Sequence, residues 1–226
     1  MTPQQVRAWR RTLRHELIDK RAALPSTTLD EYRHRIDTHL QRAFPDLVHG
    51  AVAFCWPYKN EYDARHLLAD LRRHGATTAL PAIVAPGAPL VFREWHPGVT
   101  LREGPLGIPF APDSPAVQPD SVLLPVVAFD GGGYRLGYGG GYFDRTLAVI
   151  ARRPLVIAVG YDMQFIETIH PQPHDIPVDY VVTERGVYER RAGSGLRFLD
   201  EPTHGYSSPP CYAAEIAPGY FGDTAE

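Results

Sequence analysis

The sequence predicts an α/β fold, a three-layer sandwich with a largely parallel central sheet, and three features carry that prediction. Strand-like and helix-like patterns alternate along the chain, the order that builds a parallel sheet with helices on its faces. The apolar runs AVAFCW, SVLLPVVAF and PLVIAVGY are nearly continuous rather than alternating, as in strands buried on both sides. A length of 226 residues suffices for one well-buried core.

From Pro3 to about Ala23, Val6, Trp9, Leu13 and Leu17 recur at helical spacing, with Arg7, Arg10, Arg11 and Arg14 on an adjacent face. A stripe of this kind usually faces solvent. A second helix follows in PSTTLDEYRHRIDTHLQRAF, where Thr27 or Thr28 can cap it. AVAFCW is a buried strand, PYKNEYD a loop, and a helix from about Ala64 turns Leu67, Leu68 and Leu71 inward before Gly75 stops it. TTALPAIV and PLVFREW read as strands, whereas HPGVTLREGPLGIPFAPDSPAVQPD holds too much Pro and Gly for regular structure. SVLLPVVAF reads as one central strand, followed by a glycine loop, a helix over 142–152, the strand PLVIAVGY and a short strand YVVTE. From Arg190 the periodicity fades, so the reading is a domain over 1–189 and a Gly/Pro-rich tail over 190–226.

A formal charge of -3 without long single-sign blocks predicts neither a nucleic acid nor a membrane partner. Cys55 and Cys211 have neither disulfide-framework nor metal spacing, which fits a reducing cytoplasm. No apolar run approaches the roughly 20 residues of a membrane span, and the basic start has no apolar signal core.

The stretch GGGYRLGYGGGYFDRTL, residues 131–147, stands between a strand and a helix, where open α/β sheets bind ligands and free helix N–H groups face anions. Its glycines allow amides to converge and tolerate positive φ. Phosphate is the natural occupant, although glycines also serve tight turns. The loop has neither the Lys-Ser/Thr ending of a P-loop nor GxGxxG spacing. Arg135 offers a donor fork suited to phosphate, and Asp144 is either a Mg²⁺-type carboxylate or only a helix-start charge.

The segment LPVVAFDGGGYRLGYGGGYFDRTLA resembles the signature of the 5-formyltetrahydrofolate cyclo-ligase family. RRTLRHEL, NEYDARHLL, REGPLGIPFAP and PHDIPVDYVVTERG resemble further family blocks in the same order, over about Arg10 to Gly186. The resemblance implies a fold like that of the NagB/RpiA/CoA transferase group. It also implies an ATP-dependent cyclisation of 5-formyltetrahydrofolate to 5,10-methenyltetrahydrofolate through a phosphorylated formyl oxygen, with no protein nucleophile. By the same resemblance Arg135 and Glu61 are catalytic, and ATP is held by Arg10, Arg11, Arg14 and the loop Arg135, Leu136, Gly137, Tyr138, Gly139, Gly140, Gly141, Tyr142 and Phe143. Tyr138 to Tyr142, Trp56 and Glu61 border the folate, and Asp144 and Asp175 are the Mg²⁺ positions. The implied partners are small molecules only, and the implied state is a monomer or weak homodimer.

Three positions depart from the family pattern: Arg10 stands where lysine is usual, Phe143 where tyrosine is, and Leu106 where some relatives carry an aromatic residue. Without the resemblance, Glu61 reads equally as a solvated residue before a helix and Trp56 as a core residue. A paralogue acting on another N-formyl or amino-pyrimidine compound, a non-catalytic folate or nucleotide binder, and an isomerase or CoA transferase of similar architecture remain alternatives. His170 and His174 are left out as a Pro-rich surface loop.

Overall fold

The computed structural model describes residues 1–104 and 107–199. Helix α1 (Pro3–Ala22) opens with a capping box: the Thr2 hydroxyl accepts from the Gln5 amide, and the Gln5 side chain accepts from the Thr2 amide. Helix α2 (Ser26–Ala43) instead begins directly after Pro25, and neither Thr27 nor Thr28 caps it. The fixed φ of Pro25 ends the preceding turn without help from a hydroxyl.

Strand β1 (Ala51–Phe54), helix α3 (Arg65–Arg73), β2 (Thr77–Ala82) and β3 (Val91–Glu94) follow. Next comes a short hairpin, β4 (Arg102–Glu103) with β5 (Pro109–Phe110), inside the segment the sequence assigns to irregular structure. The chain then runs through β6 (Ser121–Pro125), β7 (Ala128–Asp130), β8 (Arg135–Leu136) and α4 (Tyr142–Val149), shorter than the pattern suggests. Strands β9 (Leu155–Val159), β10 (Phe165–Ile166), β11 (Tyr180–Thr183), β12 (Gly186–Arg191) and β13 (Gly195–Leu199) complete the described chain.

Eight strands form one sheet in the order β13-β12-β11-β9-β6-β1-β2-β3. The five central strands, β2, β1, β6, β9 and β11, are mutually parallel. Antiparallel strands flank them on both sides. Side chains of successive strand residues go to opposite faces, so Val52 and Phe54 meet Leu40 of α2 and Leu68 of α3, whereas Ala53 lies in the cluster that takes Leu147 of α4. Both faces are covered by apolar side chains, which is why the central strands read as continuous apolar runs.

SVLLPVVAF is not one strand. It breaks after Pro125, and β7 leaves for a small three-stranded sheet with β8 and β10. Proline cannot donate to a ladder, and the carbonyls exposed at the break are taken up by buried Gln164, whose amide donates to Val126 and Val127 at 2.6 and 3.1 Å. Leu17 and Ile18 of α1 pack on Val127, Ala128 and Leu136 of this small sheet. Helix α1 is thereby fastened to the part of the chain that carries the glycine loop.

The boundary read at residue 190 falls inside β12, and residues 190–191 and 195–199 are paired into the main sheet on either side of a turn. The strands of this hairpin are short and half-polar, so no run of apolar residues marks them in the sequence. The rest of the expected tail lies outside the described residues, as does Leu106. Leu196 and Leu199 pack against the two large core clusters, so a chain ending at Arg190 is expected to melt below one ending at Leu199. Losing burial worth about 2 to 3 kcal/mol predicts a drop of about 5–10 °C for a domain of this size. Equal melting temperatures would detach the hairpin from the fold. No helix among the described residues is long and apolar enough to cross a membrane.

Candidate active site

The connection from β1 leads through α3 to β2 on one side, while β6 leads to β9 on the other. The connections from these two parallel strands thus leave their carboxyl ends in opposite directions, the place where open α/β sheets bind ligands. A cleft of about 720 Å³ opens there, walled by Cys55 and Trp56 after β1, Leu124 and Pro125 at the end of β6, and the glycine loop. Its apolar side comes from Pro81, Ile83, Leu90, Ile108 and Phe110. These residues stand in segments far apart in the chain, and no local pattern marks them.

One wall is ionic, and α1 supplies half of it. Arg10, placed on the buried face of the helix, donates to both oxygens of Asp175, at 2.5 Å to Oδ2, and to the carbonyls of Ile169 and His170 at 3.0 Å. One turn later Arg14 Nε donates to Gly137 O at 2.7 Å. Burial and then the charges of Arg10 and Arg11 pull the Arg14 guanidinium below its ordinary value. Crowded like charges are relieved by an anion. The expected solvated stripe is thus divided: Arg10 and Arg14 turn into the cleft, while Arg11 is exposed and does not line it. Helical geometry places i and i+4 on one face and i+1 roughly 100° away.

The other half comes from the small sheet. Arg135 is buried, and donates to Asp144 Oδ1 at 3.1 Å and to Ile176 O at 2.5 Å, while the Ile176 amide donates back to Asp144 Oδ1 at 3.1 Å. This cycle ties the start of α4 to the segment that carries Asp175. Burial works to raise the Asp175 carboxyl, but bonds from Arg10 and the Gln172 amide outweigh it and hold the group below the usual carboxylate range. Both carboxylates line the cleft as hard oxygen donors. Asp144 Oδ2 bonds to none of the described residues, whereas the Asp175 oxygens are shared with Arg10. His174 also borders the cleft, at its exposed rim. Among the described residues no group of three or more His, Cys, Asp or Glu could hold a metal by itself.

Between these halves runs the glycine loop. Gly139 and Gly141 have φ of 96° and 63°, and Gly141 starts α4 without any side-chain cap, leaving first-turn amides for an anion. Gly140 has no positive φ. A Cβ at this position would instead meet the Tyr142 ring at 2.8 Å. Arg145 fastens the loop by donating to Gly140 O at 2.7 Å. Leu136, Gly137, Tyr138 and Tyr142 to Asp144 all border the cleft.

At the far end Glu61 is 7% exposed and accepts from the Tyr138 hydroxyl at 2.7 Å and the Tyr58 amide at 3.0 Å. Burial pushes its carboxyl up, against Arg21 and Tyr138, which pull it down. Trp56 lies beneath the Arg65 guanidinium, 4.6 Å from the ring centroid, and Arg65 is held by both oxygens of Asp63. Burial raises the Cys55 thiol far above its ordinary value, which makes it a poor nucleophile.

A parallel sheet that opens at its switch point onto a glycine-bearing, arginine-walled cleft belongs to the α/β class built for anionic ligands. The chain belongs to the 5-formyltetrahydrofolate cyclo-ligase family, whose sequence model matches residues 6–184. It is 34% identical over 146 residues to a 5-formyltetrahydrofolate cyclo-ligase of Mycolicibacterium smegmatis, covering 60% of this chain and 74% of that protein. It is 30% identical over 177 residues to the enzyme of that name in Escherichia coli, covering 75% and 97%. The solution structure of Aquifex aeolicus 5,10-methenyltetrahydrofolate synthetase superposes with a TM-score of 0.70 at 28% identity, over 87% of this chain and 99% of that one.

Proposed function

We propose that this protein converts 5-formyltetrahydrofolate and ATP to 5,10-methenyltetrahydrofolate, ADP and phosphate, on a fold of the NagB/RpiA/CoA transferase-like type. The observation that carries this reading is the double attachment of one loop. Through Arg135 and Asp144 it belongs to the ionic wall, and through Tyr138 it reaches Glu61 at the opposite end. A loop so placed can hold a phosphoryl donor and its acceptor in one frame, which is most of what phosphoryl transfer asks of a protein.

In this reading Arg10, Arg14 and the amides of residues 136–143 bind the ATP phosphates. Arg11, exposed on α1, contributes charge rather than contact. Arg135 meets the charge that develops on the transferred group. Glu61 accepts hydrogen bonds from the folate ring, Tyr138 and the glycines border it, and Trp56 lines its pocket. The phosphorylated formyl oxygen becomes a leaving group, the folate N10 attacks the formyl carbon and gives up its proton to solvent, and phosphate departs as the ring closes. Asp144 and Asp175 are the residues that would hold Mg²⁺, an ion that keeps several waters and needs only one or two carboxylates besides phosphate oxygens. The free Asp144 Oδ2 fits that demand. The ion would neutralise phosphate charge.

Purified protein given 5-formyltetrahydrofolate and MgATP is expected to develop the near-ultraviolet absorbance of methenyltetrahydrofolate. A flat trace beside a competent control enzyme would overturn the proposal in favour of another N-formyl substrate or of binding without turnover. Because the folded-state value of Glu61 is raised above its ordinary 4.5, protonation on acidification starts from a higher pH than for a free glutamate. Folate kcat/KM is therefore expected to fall with a midpoint above 4.5, and Glu61→Gln to raise the folate KM by about 10- to 100-fold with little change for ATP. Equal effects on both substrates would remove Glu61 from the folate end.

A further inference from the structure

Arg21, in the last turn of α1, does not line the cleft, yet it is 1% exposed and the largest fully buried side chain among the described residues. Its guanidinium serves four acceptors on three segments. Nε donates to Lys59 O at 2.9 Å, Nη1 to Val126 O at 3.1 Å, and Nη2 to Tyr58 O at 3.3 Å and to the Tyr138 hydroxyl at 2.7 Å. Glu61 Oε1 lies 3.6 Å from Nη2.

The turn it grips is strained. Lys59 and Asn60 have φ of 46° and 58°, two successive non-glycine residues in the left-handed region, a conformation that persists only where the surroundings enforce it. A second tie comes from Asn60, whose amide donates to Ala22 O at 3.1 Å. The turn ends at Glu61. The same guanidinium also sets a proton. Arginine has no acceptor, so a Tyr138 hydroxyl that accepts from Arg21 must donate its own hydrogen to Glu61.

We propose that Arg21 is a positioning residue for the folate half of the cleft, holding the strained 58–61 turn and the Tyr138 hydroxyl so that the Glu61 carboxylate is aimed at the substrate. The inference rests on the cyclo-ligase reading and goes beyond it, since Arg21 does not line the cleft and reaches the glycine loop only through the Tyr138 hydroxyl, the end of that loop turned to Glu61. A lysine would keep the charge but cannot span four acceptors with one ammonium. Burial pushes the Glu61 carboxyl up, and Arg21 from α1, the Tyr138 hydroxyl from the glycine loop and the Tyr58 amide from its own turn pull it down; Cys55 and Tyr161, which also face it, are raised by burial and by its charge and stay neutral.

The test compares wild type, Arg21→Lys, Arg21→Gln and Asn60→Ala in steady-state kinetics with each substrate varied, with melting curves alongside. Arg21→Lys is expected to raise the folate KM by about tenfold and to leave the ATP KM within about twofold. Arg21→Gln should do the same and also shift the acid limb of folate kcat/KM upward, because Glu61 loses a neighbouring positive charge. Asn60→Ala loosens the same turn from its outer side and should repeat the folate-selective change. If both Arg21 variants fail to fold, the Asn60→Ala result alone decides, for or against. A folate KM unmoved in the folded variants, or both KM values moved together, makes Arg21 a structural residue only and overturns the inference while the proposed function stands. Absence of turnover by wild type overturns both.

Discussion

Replacing Asp144 by asparagine is expected to lower kcat by about 10²- to 10³-fold while shifting the melting temperature by only a few degrees. The sequence alone leaves this residue as a helix-start charge or a metal-type carboxylate. In the fold it does more than either, because its Oδ1 accepts from both Arg135 and the Ile176 amide. An alanine would break that cycle and leave a buried arginine short of a partner, so loss of activity would not separate chemistry from folding. Asparagine keeps an acceptor in place for Arg135 and the Ile176 amide, and removes the charge and the second carboxylate oxygen. Turnover should be followed at saturating substrates over rising Mg²⁺, with a thermal melt on the same sample. Activity within about threefold of wild type would reduce Asp144 to a structural acceptor.

Gly139→Val should weaken ATP binding by about 100-fold and also lower the melting temperature. At φ of 96° a β-branched residue is strained whatever the space around it, and the added Cβ would stand 3.2 Å from the Arg14 guanidinium carbon. The Arg14 guanidinium would have to give way by a few tenths of an ångström, which strains its bond to Gly137 O, one of the contacts that hold α1 against the loop. Gly140 is a weaker probe of backbone freedom, since its φ is not positive. The measurement is a nucleotide titration well below the melting point. A variant that melts early yet binds ATP with wild-type affinity would sink the assignment of this loop to phosphate.

Much of the main sheet is legible because its cause is local. Val52, Val122 and Val156 sit in runs that are apolar without alternation, and only a strand covered on both faces asks for that. The glycine loop is legible for a similar reason: bare backbone, Arg135 and Asp144 lie within a few residues of each other, and their spacing survives folding. Less of the turn-rich region could be read, since the β4–β5 hairpin rests on contacts that Pro and Gly content does not encode. Nor could the β12–β13 hairpin, where Gly195 and Leu199 look like tail residues until β11 provides an edge to pair with.

By itself the sequence determined an alternating α/β chain with buried central strands, a basic first helix, and a glycine loop at a strand-to-helix junction. Tertiary structure decided which charges meet. Helical rotation sends Arg10 and Arg14 into the cleft and Arg11 to solvent, and Pro125 with Gln164 diverts β7 so that the loop lies over the β1–β6 switch point. It also makes Arg21, one more arginine in a basic helix, the clamp on a strained turn 38 residues away. The physical reason is the range of the forces. Apolar burial and backbone freedom are written into runs of neighbouring residues, whereas a buried guanidinium draws its partners from wherever the fold places carbonyls and carboxylates.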